Sequence, residues 1–310
     1  MVLRHALRLG LALALAGCAQ VSGLTEFDLD ETGGGGAETT SSAGGAAGAG
    51  GGGAGGDEEG GGGTGGAPIA TGPFRGIQPV TSLMSASDDD DPTFTANGLE
   101  LYFNTNRGNA RMWRATRSSV MDPWGAPGAV SELEYDGSES NGVVSPSGGT
   151  FWVMVDDGGK TIFVSRRTNG MWSTPTFDSQ QVDAQFGFVG AVDAAERRMV
   201  YATGDLHEAT RPTANDDWSP PSLIMALGNS DKEAPWMSPD GLHLYWAASG
   251  SIYHASRTSV DGAFDTPTTL PELEVAGYLS DPWLTPDQSY IMFAVGLTDR
   301  QIYEARRTMR

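Results

Sequence analysis

Cysteine is nearly absent from this chain. Its 310 residues hold one, Cys18, so no disulfide can form within it. Basic residues are scarce as well: 19 Lys and Arg stand against 39 Asp and Glu, for a formal net charge of −20. Nucleic acids and anionic headgroups are bound through basic patches, so neither is an expected partner. The four histidines, His5, His207, His243 and His254, do not stand at the pair spacing of a metal site. No twelve-residue calcium loop of the EF-hand kind is present. Long apolar runs are missing too, and the run over 9–16 is too short to span a bilayer stably. No cofactor, no metal and no catalytic set of residues is expected from these absences.

Glycine is the opposite case. More than half of residues 32–66 are glycine, and nothing apolar larger than alanine occurs there. Such a stretch cannot build a core and reads as a disordered, flexible tether. Ahead of it, residues 1–17 read as an export signal, with Arg4 and Arg8 before the apolar run. The run ends in Leu15-Ala16-Gly17-Cys18, which resembles the bacterial lipobox. That resemblance implies a lipid on Cys18 and a membrane anchor; Ala19 in the following position favours the outer membrane. The expected organisation is therefore a signal over 1–17, a lipidated N-terminus and tether over 18–73, and one folded domain over 74–310.

The folded part repeats. Short apolar strands follow turns that begin at Thr95, Ser145, Val192, Ser238 and Thr285, in steps of 50, 47, 46 and 47 residues. A strand-built repeat of that length predicts a β-propeller with one blade per repeat. Arg117, Arg167, Arg211, Arg257 and Arg307 recur at the ends of third strands. Trp124, Trp172, Trp218 and Phe264 recur just before the outer strands, the first of which is expected around 130–133. Residues repeated once per blade are expected to hold the blade together. The fifth repeat lacks an outer strand, whereas Phe74, Val80 and Leu83 stand 50 residues before Trp124, Val130 and Leu133. The expected fold is all-β: five blades, closed by the N-terminal strand, which removes two open edges.

Ser238-Pro239-Asp240-Gly241-Leu242-His243-Leu244-Tyr245, Thr285-Pro286-Asp287 and Ser145-Pro146-Ser147-Gly148 resemble the WD40-like (PD40) repeats of TolB-type propellers. The resemblance covers about residues 74–310 and implies a bacterial envelope lipoprotein, monomeric, facing the periplasm or the cell surface. Its propeller is expected to bind a protein, peptide or glycan rather than to act as an enzyme. The alternative is a five-bladed glycoside hydrolase working through channel carboxylates. Asp91-Pro92 suits that reading, but Asp281-Pro282 repeats the dipeptide, as repeat grammar would. Acidic residues near the blade openings are Asp91, Glu139, Glu233 and Asp281, and aromatics there are Phe94, Phe188, Trp236 and Trp283. Asp91, Glu139, Glu233, Asp281, Phe94, Trp236 and Trp283 are the expected binding residues at the channel mouth, the acids forming a ring if they share one rim. Gly158-Gly159-Lys160-Thr161 ends like a phosphate loop, but Met154 replaces the leading glycine and a hairpin turn is expected.

Overall fold

The structure is a computed structural model. It describes residues 69–307 except 109–110, 136–138, 157–159, 178–187, 229–230 and 275–276. The expected signal, Cys18, the glycine-rich stretch and residues 157–159 of the expected hairpin turn lie outside the described residues, as do the side chains of Glu139 and Phe188.

The described strands form five antiparallel sheets. Blade 1 runs from the axis outwards as Asp89–Phe94, Glu100–Thr105, Met112–Thr116 and Gly128–Ala129. Blade 2 is Glu139–Val144, Thr150–Asp156, Lys160–Thr168 and Thr176–Phe177; blade 3 is Phe188–Val192, Arg198–Ala202, Leu206–Thr210 and Ser222–Leu223. Blade 4 is Lys232–Met237, His243–Ala248, Ser251–Ser256 and Thr268–Thr269. Blade 5 is Leu279–Leu284, Tyr290–Val295 and Gln301–Arg306, and its outer strand is Arg75–Pro79. That last strand pairs antiparallel, with Arg75 opposite Arg306 and Gln78 opposite Glu304. Each inner strand touches the next around the ring, and the fifth returns to the first. The propeller is closed, and the chain start closes it.

The repeated turn has a chemical reason. In blade 4 the Ser238 N–H donates to His243 O at 2.9 Å, and Asp240 Oδ1 takes the Leu242 N–H at 3.0 Å. In blade 5 Asp287 Oδ1 accepts from Thr285 Oγ1 at 2.6 Å and from the Ser289 N–H at 3.1 Å. Asn97 does the same for Thr95 and Leu99 in blade 1. These are Asx turns, in which a short acid or amide replaces the backbone acceptor. The third turn opens at Asp193, one residue later than Val192: its N–H bonds Arg198 O, as its counterparts do. Asp193 Oδ1 itself accepts from the Arg197 and Arg198 N–H groups, so a carboxylate does the work of the serine.

The recurring arginines and aromatics meet. Arg117 stacks on Trp124 at 4.1 Å, Arg167 on Trp172 at 5.3 Å, Arg211 on Trp218 at 4.1 Å and Arg257 on Phe264 at 4.4 Å. The fifth pair crosses the seam, with Arg307 on Phe74 at 4.0 Å. Three of these guanidinium groups also donate through Nε to a turn carbonyl: Arg117 to Gly98, Arg211 to Glu196 and Arg257 to Gly241, at 2.6–2.7 Å. Each arginine covers an aromatic ring, and four of the five, Arg167 through Gly170 O at 3.2 Å among them, tie the third strand to a turn, which is a structural role.

The outer strands are shorter than the sequence suggests. Strand pairing in blade 1 stops at Ala129, and residues 131–133 form a 3-10 turn instead of continuing the strand. Leu133 N–H bonds Val130 O, Leu273 N–H bonds Leu270 O, and Leu83 N–H bonds Val80 O. The paired apolar residues three apart mark a turn of three residues per repeat, not strand alternation. Among the described residues no helix is long and apolar enough to cross a membrane.

Candidate functional site at the channel mouth

Every inner strand carries a bulge at the same level: between Asp90 and Thr93, Glu139 and Asn141, Val189 and Ala191, Glu233 and Trp236, and Ser280 and Trp283. A bulge leaves one residue without a ladder partner and turns it out of the sheet. Asp91, Ala234 and Asp281 occupy it with φ of 47°, 45° and 53°. Pro92, Pro235 and Pro282 follow them, and a proline has no N–H to leave unpaired there. Blades 2 and 3 place Gly142 and Gly190 instead. A Cβ on Gly190 would stand 2.3 Å from Val200 O and 2.4 Å from Pro235 Cγ, so blades 3 and 4 meet too closely for any other residue.

These bulges line the axis. Asp91, Asn141, Gly190, Ala234, Asp281 and their neighbours enclose a cavity of about 20 Å³, room for one water-sized occupant. At the level of the bulges the axis leaves room for a water-sized group beside Asp91, Asn141 and Asp281.

Asp91 and Asp281, on adjacent blades, face each other with their carboxyl groups in hydrogen-bond contact. Burial, with Asp281 beside it, holds the Asp91 carboxyl well above the usual carboxylate range. Asn104 Nδ2 donates to Asp91 Oδ2 at 3.2 Å, and Ser280 Oγ donates to Asp281 Oδ2 at 2.7 Å. Asp90 pairs with Arg300, whose other nitrogen stands 3.8 Å from Asp281 Oδ2. Burial, then the Asp281 charge, pushes Asp90 up to about 7. Asp88 accepts the Arg300 N–H at 2.6 Å. Glu233 accepts from the Tyr278 hydroxyl at 3.1 Å, and burial, then Asp281, raises its carboxyl as well. Asp89 is fully buried and belongs to the scaffold: Arg107 and the Ser85 N–H and hydroxyl hold it.

The expected binding set is thus divided. Asp91 and Asp281 share the axis, with Glu233 next to Asp281. The four acids do not form a ring of equivalents: Glu233 matches Asp90 in register, and the Glu139 backbone, paired with Val155, matches Asp89, paired with Thr105. Nor are Asp91 and Asp281 solvated turn residues. Phe94 is fully buried between blades, 5.8 Å from Tyr290 and 6.4 Å from Trp283. Trp236 packs on Tyr245 within blade 4. Neither lines the axial cavity, although Trp236 matches Trp283 in register. Trp283 touches the axial cavity but spends its indole N–H on Phe94 O at 2.9 Å. Sequence reasoning missed Arg300 and Tyr278, which lie outside the repeated positions, and Asn141. The offset of 50 residues from Asp91 was the available signal for Asn141.

No family model matches the chain, and no curated protein does. Solved structures do. An α-L-arabinofuranosidase from Podospora anserina, solved in complex with cellotriose, superposes with a TM-score of 0.52 at 11% identity, over 74% of this chain and 95% of that one. A gluconolactonase from Xanthomonas campestris gives 0.47 at 8% identity, over 78% and 97%. TolB from Acinetobacter baumannii gives 0.45 at 12% identity, over 74% of this chain, which spans 57% of TolB. At these identities the likeness is one of fold: the chain is a five-bladed β-propeller.

Proposed function

We propose that the protein is a lipid-anchored envelope protein whose propeller is a binding scaffold, with the acidic mouth as its capture face for a protein, peptide or glycan. One observation carries this reading: the two carboxyl groups that face each other across the axis, Asp91 and Asp281, are in contact. Glycoside hydrolysis needs its two carboxyl groups about 5–9.5 Å apart, so that a glycosidic bond fits between them. Carboxyls in contact instead suit recognition at the rim, where loops from several blades meet over a rigid frame. Asp88, Glu233 and Tyr278 are the groups of that rim.

The test immobilises the full chain and measures binding of oligolysine peptides and a neutral oligosaccharide panel across salt concentrations. Glu233→Gln combined with Asp88→Asn is expected to slow association and flatten its salt dependence, as rim charges do. Unchanged association and salt dependence in the double variant, or turnover of an arabinofuranoside by the wild type, would overturn the reading. Replacing Cys18 with Ala is expected to release the protein from the membrane fraction; retention without a lipid on the mature N-terminus would remove the anchor from it.

A further inference from the structure

We propose that the axial cavity binds one divalent, oxygen-seeking cation of the calcium class, held by Asp91 and Asp281 together with the amide oxygen of Asn141. This site is independent of what the mouth captures.

Asn141 carries the argument beyond an acidic cluster. It stands 50 residues after Asp91, directly after the bulge of blade 2, and lines the same cavity as Asp91 of blade 1 and Asp281 of blade 5. It is 5% exposed, and its Oδ1 is buried with no hydrogen-bond donor. A buried amide oxygen without a donor is costly, and a metal ion removes that cost. The cavity, about 20 Å³, admits one atom-sized occupant.

Charge points the same way. Asp90, Asp91 and Asp281 face one guanidinium, that of Arg300, leaving a formal charge of −2 when all are ionised. Glu233 adds to it from the next blade. A divalent cation matches this charge. Its ligands would all be oxygens, two carboxylates and an amide, the set that hard cations take. With neither thiolate nor imidazole among the donors the set is not one for zinc; among the described residues no three His, Cys, Asp or Glu side chains are arranged to hold any metal, so the site depends on the Asn141 amide as a ligand beside the two carboxylates. The carboxylates are already oriented from behind by Asn104 and Ser280. Because the ligands come from blades 5, 1 and 2, the cation would join the inner strands of three neighbouring blades.

The full chain, stripped with a chelator and desalted, would be titrated with terbium while tryptophan is excited. Trp283 borders the cavity and serves as the sensitiser. The expected result is saturation at one terbium per chain, reversal by calcium, and a calcium-dependent rise in Tm. Asn141→Ala is expected to weaken calcium about ten-fold or more, and Asp281→Asn to abolish the effect. The proposal is overturned if terbium fails to saturate at one per chain, or if both variants bind as the wild type does, which would assign the signal to surface carboxylates. Should a variant fail to fold, the wild-type stoichiometry and calcium-dependent Tm decide the matter.

Discussion

At the scale of single residues, location decides which ion pairs count. The Arg257 side chain is 3% exposed; it bonds Gly241 O, reaches Glu208 of blade 3 at 2.9 Å and covers Phe264. Removing it leaves the Gly241 carbonyl without its donor and takes one of two partners from Glu208, which keeps Arg198 at 3.2 Å. Arg114 also pairs with an acid, Glu100, but is 39% exposed. Arg257→Ala is expected to cost about 2–3 kcal/mol in urea unfolding, and Arg114→Ala at most about 1 kcal/mol; equal losses would refute the distinction. Another residue breaks the repeat's own rule. Gln288 adopts φ of 56° where blades 1, 2 and 4 have glycine. Its Oε1 accepts the Tyr245 hydroxyl at 2.6 Å, a bond between blades 4 and 5 that glycine could not make.

At the scale of elements, the seam is the informative place. Four outer strands are two residues long, whereas Arg75–Pro79 has five. Deleting residues 74–85 removes the longest outer strand, Phe74 under Arg307, and the buried Val80 and Leu83. Tm is expected to fall by roughly 10 °C or more, at about 2–4 °C per kcal/mol for a domain of this size. Deleting 32–66 is expected to leave Tm unchanged; matching values for the two deletions would defeat shared-blade closure. The blade count and this closure were legible in the sequence because each blade repeats its aromatic, its arginine and its turn at a near-constant offset. The outer strand was misread because Val130 and Leu133, three apart and both buried, suit a strand or a 3-10 turn equally until the backbone bonds are known. The site was legible only in its acids. Which side of an inner strand faces the axis depends on the bulge, and a bulge reverses the alternation that sequence reasoning relies on.

At the scale of the whole molecule, acid acts on the ring in two opposed ways. His243 and His254 stack between blades 4 and 5, Nδ1 to Nε2 at 3.2 Å, with Tyr245 stacked on His254 and Arg307 facing the group. Burial, then His243, pushes His254 down to about 4, while Asp265 pulls the other way. The unfolded chain thus takes up the proton first. The stability held by the neutral pair is complete above about pH 6.5 and is lost as the pH falls through about 4, up to roughly 3 kcal/mol. Asp90 works in the opposite sense: raised to about 7, it favours the folded state once protonated and costs stability as the pH rises through 7. The difference in Tm between wild type and His254→Gln, followed from pH 7 to 4, isolates the first effect and is expected to shrink or reverse on acidification. A constant difference would show that the imidazoles do not report on folding.

The chain upstream of the seam is pinned before it reaches the last blade. The Ala70 N–H bonds Asp287 O at 2.8 Å, and Ala70 O accepts from Arg307 at 3.2 Å. A mechanical load arriving from the N-terminal side meets these two bonds first, then the Phe74–Arg307 stack, and only then the backbone pairing of Arg75–Pro79. Arg307 serves both the clip and the stack, so one guanidinium, beside the Ala70–Asp287 backbone bond, guards the strand whose peeling would open the ring.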